Sequence, residues 1–271
     1  MSRVHVVKMS GAGNDFVVLG ADEAQRLGAA FEPWVRRVCR RGLSVGADGV
    51  LVVESAGAGA VNVRFHNPDG SPAFCGNASR CAARYAWRRG LVDSGSMVLR
   101  TAAGEVRARV EEGRVQLELS PPEDLGELKL DVGAERLVGR RVDSGAPHFV
   151  VFVESVAGAP LERWGPLVRR HAQFAPAGTN LDVAQFRAAD RLDLRTWERG
   201  VEGETLACGS GALAAAAAAR QLRGGDRFTV RPASGIPLEV DFRGGTVVRL
   251  AGDARFVFEG ELDPEALDGF V

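Results

Sequence analysis

Cys75 and Cys208 are the residues of this 271-residue chain best suited to chemistry, because each opens the same local pattern. The first runs Asp69-Gly70-Ser71-Pro72-Ala73-Phe74-Cys75-Gly76-Asn77, the second Glu202-Gly203-Glu204-Thr205-Leu206-Ala207-Cys208-Gly209-Ser210-Gly211. In both, an acidic-Gly pair ends five residues before the cysteine, and a small, polar entry leads into a predicted helix. A free thiol has a pKa near 8.5, and a helix N-terminus lowers it to between about 3.5 and 7.5. The unpaired N–H groups of a first turn carry partial positive charge that stabilises a thiolate or holds a carboxylate. Gly76 and Gly209 lack the Cβ that would block a ligand's approach to those amides. Two such helix starts facing each other would grip one amino-acid carboxylate and put a sulfur on each face of its α-carbon. That suits stereoinversion. One thiolate removes the α-proton, the opposite thiol returns a proton, and the helix-end amides stabilise the enolate-like charge.

The elements around the cysteines repeat as well. After the first helix come Met97 to Thr101, a Gly104 turn, Glu105 to Val110, a Gly113 turn, and Arg114 to Leu119. After the second come Arg227 to Arg231, a Gly235 turn, Pro237 to Phe242, a Gly244-Gly245 turn, and Thr246 to Leu250. Self-similarity at roughly half the chain length means two like lobes and not a solenoid of short repeats. Upstream, strand-like runs (Val4 to Val7, Phe16 to Leu19, Val50 to Val53, Val61 to Phe65) accompany a helix from Pro33 to Arg41. The second half has Arg136 to Val142, Phe149 to Val153, a helix near Leu161 to His171, Asn180 to Phe186 and Leu192 to Trp197. Pro121-Pro122 marks the crossing between lobes. The helix after Cys208 is alanine-rich and apolar nearly all round, so protein should surround it. The expected fold is α/β of the α+β kind: two pseudo-symmetric lobes, each a mainly antiparallel, barrel-like sheet around a central helix. Residues 1–119, completed by 253–271, would form the lobe carrying Cys75, and 120–252 the lobe carrying Cys208.

Composition excludes several classes. A net charge of −1 gives no electrostatic case for nucleic acid or an anionic membrane. The N-terminus lacks a signal-peptide core, and the apolar stretch at Ala212 to Ala219 is far short of the roughly 18 residues of a membrane span. A cytoplasmic location is therefore expected. The four cysteines, Cys39, Cys75, Cys81 and Cys208, have no Cys-x-x-Cys spacing, so no metal site is expected. Cys39 and Cys81 read as small buried apolar side chains. A pyridoxal-phosphate racemase needs a Schiff-base lysine. Only Lys8 and Lys129 exist, and the Ser10-Gly11-Ala12-Gly13 loop that follows Lys8 is too generic to mark a phosphate site. Cofactor-free chemistry is the expectation.

Six segments, in order, carry a family resemblance. They are Lys8 to Phe16, Gly46-Ala47-Asp48-Gly49, Asn67 to Ser71 through Cys75-Gly76-Asn77, Pro147-His148, Gly178-Thr179-Asn180, and Glu198-Arg199-Gly200 through Ala207 to Gly211. Over essentially its full length the chain resembles diaminopimelate epimerase. The resemblance implies reversible interconversion of LL- and meso-2,6-diaminoheptanedioate, without metal or cofactor, in lysine and peptidoglycan-precursor biosynthesis. It makes Cys75 and Cys208 the acid/base pair, and His148 and Glu198 residues that tune the thiols. Gly76, Asn77, Gly209 and Ser210 would hold the reacting carboxylate, and Asn14, Asn67, Asn180, Glu198 and Arg199 the rest of the substrate. Arg199 suits a bidentate clamp on the distal carboxylate. The implied partners are the small-molecule substrate and a second copy of the chain in a homodimer. Ala146 stands where many members have asparagine, Gly49 where some have glutamine, and Ala78-Ser79 replaces the common Gly-Ala; the first two bear on substrate specificity. Two alternatives stay open: a related cofactor-independent racemase of another amino acid such as histidine, and a thiol redox protein cycling Cys75 and Cys208. Arg199 with Asn67 and Asn180 favours diaminopimelate over both.

Overall fold

A computed structural model describes residues 3–57 and 59–267 and divides into two compact units, Met1–Leu117 with Gly252–Val271, and Glu118–Ala251. The first unit contains strands β1 (Val4–Gly11), β2 (Asn14–Gly20), β3 (Gly49–Ser55), β4 (Ala60–His66), β5 (Pro72–Ala73), β6 (Ser96–Thr101) and β7 (Gly104–Glu111), followed by β8 (Arg114–Leu119). Its helices are α1 (Ala21–Leu27), α2 (Phe31–Val38) and α3 (Gly76–Arg88). The second unit contains β9 (Glu123–Val132), β10 (Glu135–Asp143), β11 (Pro147–Phe152), β12 (Asn180–Ala188), β13 (Arg191–Glu198), β14 (Gly203–Thr205), β15 (Arg227–Arg231) and β16 (Leu238–Asp241), followed by β17 (Val248–Asp253). Its helices are α4 (Leu161–Arg169) and α5 (Gly209–Arg223). Strand β18 (Arg255–Leu262) then returns to pair antiparallel with β1.

The two units repeat one pairing scheme. In the first, β1–β2 is antiparallel, β2–β3 parallel, β3–β4 antiparallel, β4–β6 parallel and β6–β7 antiparallel. In the second, β10–β11, β11–β12, β12–β13, β13–β15 and β15–β16 follow the same alternation. The cysteine-headed helices α3 and α5 are each enclosed by the strands of their own unit. The expected mainly antiparallel sheet around a central helix is therefore the architecture of both.

Local sequence explains the enclosure. In α5 every residue from Ala212 to Ala219 is buried, and all but Leu213 are alanine, whose small side chain lets strands come close to a helix from several directions. Alanine is also the strongest helix former, so the segment holds its shape without help from a polar face. In β7 the alternation puts Val106, Ala108 and Val110 inward and leaves charged residues between them outside. The outer face of each sheet carries a second helix. Trp34, Val35 and Val38 of α2 pack with Val17, Leu19 and Val50, while Leu161 and Val168 of α4 pack with Leu181 and Val183.

Some expectations needed correction. The helix expected from Pro33 to Arg41 is α2 and ends at Val38, so Cys39 sits at its cap. Strand β9, from Glu123 to Val132, is an element that the sequence reading did not include. No helix among the described residues is long and apolar enough to cross a membrane.

Candidate functional site

Cys75 and Cys208 hold equivalent places. Each is the extended N-cap of its enclosed helix, at φ −144°, ψ 121° and φ −122°, ψ 114° respectively. The first-turn N–H groups that follow, those of Gly76 and Asn77 in one unit and Gly209 and Ser210 in the other, have no carbonyl to meet within the helix. Each helix start therefore presents donors beyond its first turn.

Their surroundings differ. Behind Cys75, Asn77 is buried and its amide donates to Oδ1 of Asn14, whose own amide donates to Asp48 at 3.0 Å. Oδ1 of Asn77 accepts from the Arg80 guanidinium at 2.8 Å, and Arg80 is completely buried. Lys8 is also buried, ion-paired to Asp15 at 2.5 Å. Burial alone would raise the Asp15 carboxyl, but hydrogen bonds from Arg41 and Lys8 hold it below the usual range. Asn67 does not join this group; its amide donates to Ser71 at 3.0 Å and closes the turn that leads to β5.

Behind Cys208 lies a connected chain of polar groups. Sγ of Cys208 is 3.3 Å from Oγ of Ser210, Oγ is 3.0 Å from Nε2 of His148, and Nδ1 of His148 is 2.5 Å from Oδ2 of Asp182. Oδ1 of Asp182 accepts from the Thr196 hydroxyl at 2.6 Å. Asn180 braces the chain from the side: its amide donates to the Pro147 carbonyl at 2.9 Å, and its Oδ1 accepts from the Arg199 backbone N–H at 2.7 Å. The Arg199 guanidinium donates to the Ala177 carbonyl at 3.4 Å. Glu198 accepts from the Thr205 hydroxyl at 2.8 Å.

The Cys208 thiol departs from the expectation for a helix start. Burial pushes it well above the usual thiol range, and the Glu198 and Asp182 carboxylates add to the rise. The Ser210 hydroxyl and the Gly211 N–H, 3.4 Å from sulfur, oppose this and lose. Desolvation of a thiolate outweighs one turn of aligned amides when the sulfur is almost sealed from water. Cys39 and Cys81 are buried too, and burial pushes each thiol up to about 12, as inert apolar residues require.

Asp182, Thr196 and Arg80 escaped the sequence reading. One signal was available for Asp182: period-two alternation along β12 puts it on the same face as Asn180. Gly49 is clarified as well. A Cβ there would stand 2.3 Å from the Phe65 ring and 2.5 Å from the His66 carbonyl, so this backbone admits no side chain at that position. Among the described residues, no three His, Cys, Asp or Glu side chains gather as metal ligands would.

The sequence pattern defining the diaminopimelate epimerase family matches residues 6–123 and 140–257. The chain is 40% identical to the diaminopimelate epimerase of Aquifex aeolicus, an alignment covering 96% of this chain and 98% of that one. It is 38% identical to the diaminopimelate epimerase of Moorella thermoacetica, covering 95% and 99%. Among solved structures, a probable proline racemase from Agrobacterium radiobacter superposes with a TM-score of 0.73 at 17% identity, covering 98% of this chain and 94% of that one. A phenazine biosynthesis protein of the PhzF family from Enterococcus faecalis superposes with a TM-score of 0.72 at 13% identity, covering 97% and 100%. At those identities the likeness is one of fold.

Proposed function

The chain belongs to the diaminopimelate epimerase family, and we propose from that premise that it interconverts LL- and meso-2,6-diaminoheptanedioate with Cys75 and Cys208 as its acid/base pair. One observation carries the assignment of the pair: both cysteines are extended N-caps of enclosed helices in equivalent places of a repeated fold. A thiolate at one position removes the α-proton and the thiol at the other protonates the opposite face. The first-turn N–H groups of Gly76, Asn77, Gly209 and Ser210 hold the reacting carboxylate. As the proton leaves, charge builds on that carboxylate, where fixed donors act most strongly. A single such donor is worth about 10²- to 10³-fold in rate.

Asn14, Asn67, Asn180, Glu198 and Arg199 receive the rest of the substrate, with Arg199 on the distal carboxylate. Arg199 is suited to this because its backbone is pinned by Asn180 while its guanidinium makes a long contact to the Ala177 carbonyl. His148 and Glu198 tune the thiols. The reaction belongs to lysine and peptidoglycan-precursor biosynthesis, and a cytoplasmic location and assembly with a second copy of the chain go with it. Fractionation and sedimentation test those two.

The decisive experiment incubates the purified, reduced protein with LL- and meso-diaminopimelate, with histidine, proline and glutamate as comparators. Interconversion of the two diaminopimelate isomers, with one solvent deuterium entering at the α-carbon in heavy water, is the expected result. No interconversion, or faster racemisation of a comparator, sinks the reading.

A further inference from the structure

The polar chain behind Cys208 does not end at histidine, and its far end has a consequence for the near one. Asp182 is fully buried and accepts two short hydrogen bonds, from the His148 ring at 2.5 Å and from Thr196 at 2.6 Å. His148 is sealed as well, with only 1% of its surface exposed. A carboxylate is only an acceptor, so the ring nitrogen facing it, Nδ1, must carry the proton.

The second nitrogen can be settled independently. Oδ1 of Asn180 accepts the Arg199 backbone N–H at 2.7 Å, and a backbone N–H can only donate. The other end of that amide is therefore the NH2 group. It donates to the Pro147 carbonyl and lies 3.3 Å from Nε2 of His148. A donor on that side leaves Nε2 as an acceptor. Two neighbours thus define one ring tautomer.

We infer that Asp182 is a positioning residue, which fixes His148 with its proton on Nδ1 so that Nε2 takes the proton of Cys208 through the Ser210 hydroxyl. This rests on the acid/base role given to Cys208 above. The orientation of the chain follows: Ser210 donates to Nε2, and its oxygen, 3.3 Å from Sγ, accepts from the thiol. When Cys208 must become a base, its S–H proton passes to Oγ as the Ser210 hydroxyl proton passes to Nε2. One proton leaves sulfur and one arrives on the ring. A thiolate and an imidazolium result, the latter against the Asp182 carboxylate. Reversal restores the thiol, ready to act as acid. Since His148 and Asp182 are closed to water, the proton is stored in the protein and not lost to solvent.

The residues of this relay are not repeated at the matching places of the first unit. In the matching registers, His148 pairs with Asn180 where Phe16 pairs with Gly49, and the place of Asp182 falls to Leu51.

The test is nitrogen NMR of the full-length reduced protein labelled at histidine, of which the chain has four. Signals are assigned by replacing His5, His66 and His171 in turn with glutamine. At neutral pH, His148 should be protonated at Nδ1 and bare at Nε2. In Asp182→Asn the amide turns its NH2 to the ring, so the proton should move to Nε2 and kcat should fall on the order of 10²-fold or more, with KM little changed. A wild-type ring protonated at Nε2, alone or with Nδ1, overturns the inference whether or not the variant folds. So does an Asp182→Asn protein with wild-type kcat, or one that loses rate with the tautomer unchanged. The tautomer is read without substrate, so this failure is separate from a wild type inactive on diaminopimelate, which would sink the functional reading instead.

Discussion

A Cβ on Gly211 would stand 2.6 Å from Oδ1 of Asp182 and 3.0 Å from the Thr196 hydroxyl, so the third residue after Cys208 is glycine because a buried carboxylate occupies the space a side chain would take. The glycine lets the first turn of α5 settle onto the polar groups of β12 and β13. Gly211→Ala should therefore strain the helix start directly, costing about 1–3 kcal/mol as overpacking does, with a loss of kcat as Ser210 shifts. Gly260→Ala, where a Cβ meets nothing within 4 Å, should stay within about 0.5 kcal/mol. Thermal melts and kcat for the two variants make the comparison.

The four cysteines should separate into two pairs. Cys75→Ala and Cys208→Ala should each abolish epimerisation while leaving the fold intact. Cys39→Ala and Cys81→Ala remove buried sulfur from side chains given no part in the chemistry, and should lower stability on the order of 1 kcal/mol with the rate preserved. Full activity in either of the first two variants would remove that thiol from the mechanism.

Arg199→Ala should lose far more than a surface arginine would. Removing the partner of a desolvated charge costs about 2–5 kcal/mol, or roughly 30-fold to several thousand-fold in kcat/KM. The loss should fall on diaminopimelate and spare weak activity on a monocarboxylic amino acid, since only the former has a distal carboxylate. An equal loss on both would place Arg199 at the reacting carbon or in the fold.

The raised thiols predict alkaline lability. Cys39, Cys81 and Cys208 all hold their protons in the folded state to higher pH than in the unfolded chain. Below about pH 8.5 both states are protonated and the stabilisation is complete. Above it the unfolded chain loses protons that the folded one keeps, so stability falls as pH rises toward about 12 for Cys39 and Cys81. Each thiol contributes up to about 1.4 kcal/mol per pH unit in that window. Urea unfolding between pH 8 and 11 under reductant should show the slope, and a Cys39→Ala, Cys81→Ala double variant should flatten it. An unchanged slope would mean that these thiols ionise as readily folded as unfolded.

The repeat was legible because its signals are local: a cysteine before glycine, a helix of small residues, then strands punctuated by Gly104, Gly113 and Gly235. Strand β9 was missed because it is largely exposed, burying only Leu130 and Val132, so its apolar pattern is faint beside Pro121-Pro122. Helix α1 was missed for a similar reason, with Ala24 its one buried residue. Asp182 shared a face with Asn180, but its role was hidden in a different way. Helix α4 covers one face of β12 and α5 the other, so both faces are buried and alternation cannot say which side tolerates a charge. The acidic residue between Leu181 and Val183 makes sense only once His148 and Thr196 are seen to converge on it.

The backbone of this protein was copied and its wiring was not. Where the second unit has His148, Asn180 and Asp182, the first has Phe16, Gly49 and Leu51, and in place of Leu213 on the enclosed helix it has the buried cation Arg80. A designer who built a perfectly two-fold protein from the second unit would obtain two raised thiols, each joined through a serine to a histidine. One built from the first would set Phe16 and Leu51 in both places where that relay stands. The two halves of either design would be interchangeable, whereas here the two sulfurs sit in unlike surroundings beneath one repeated fold.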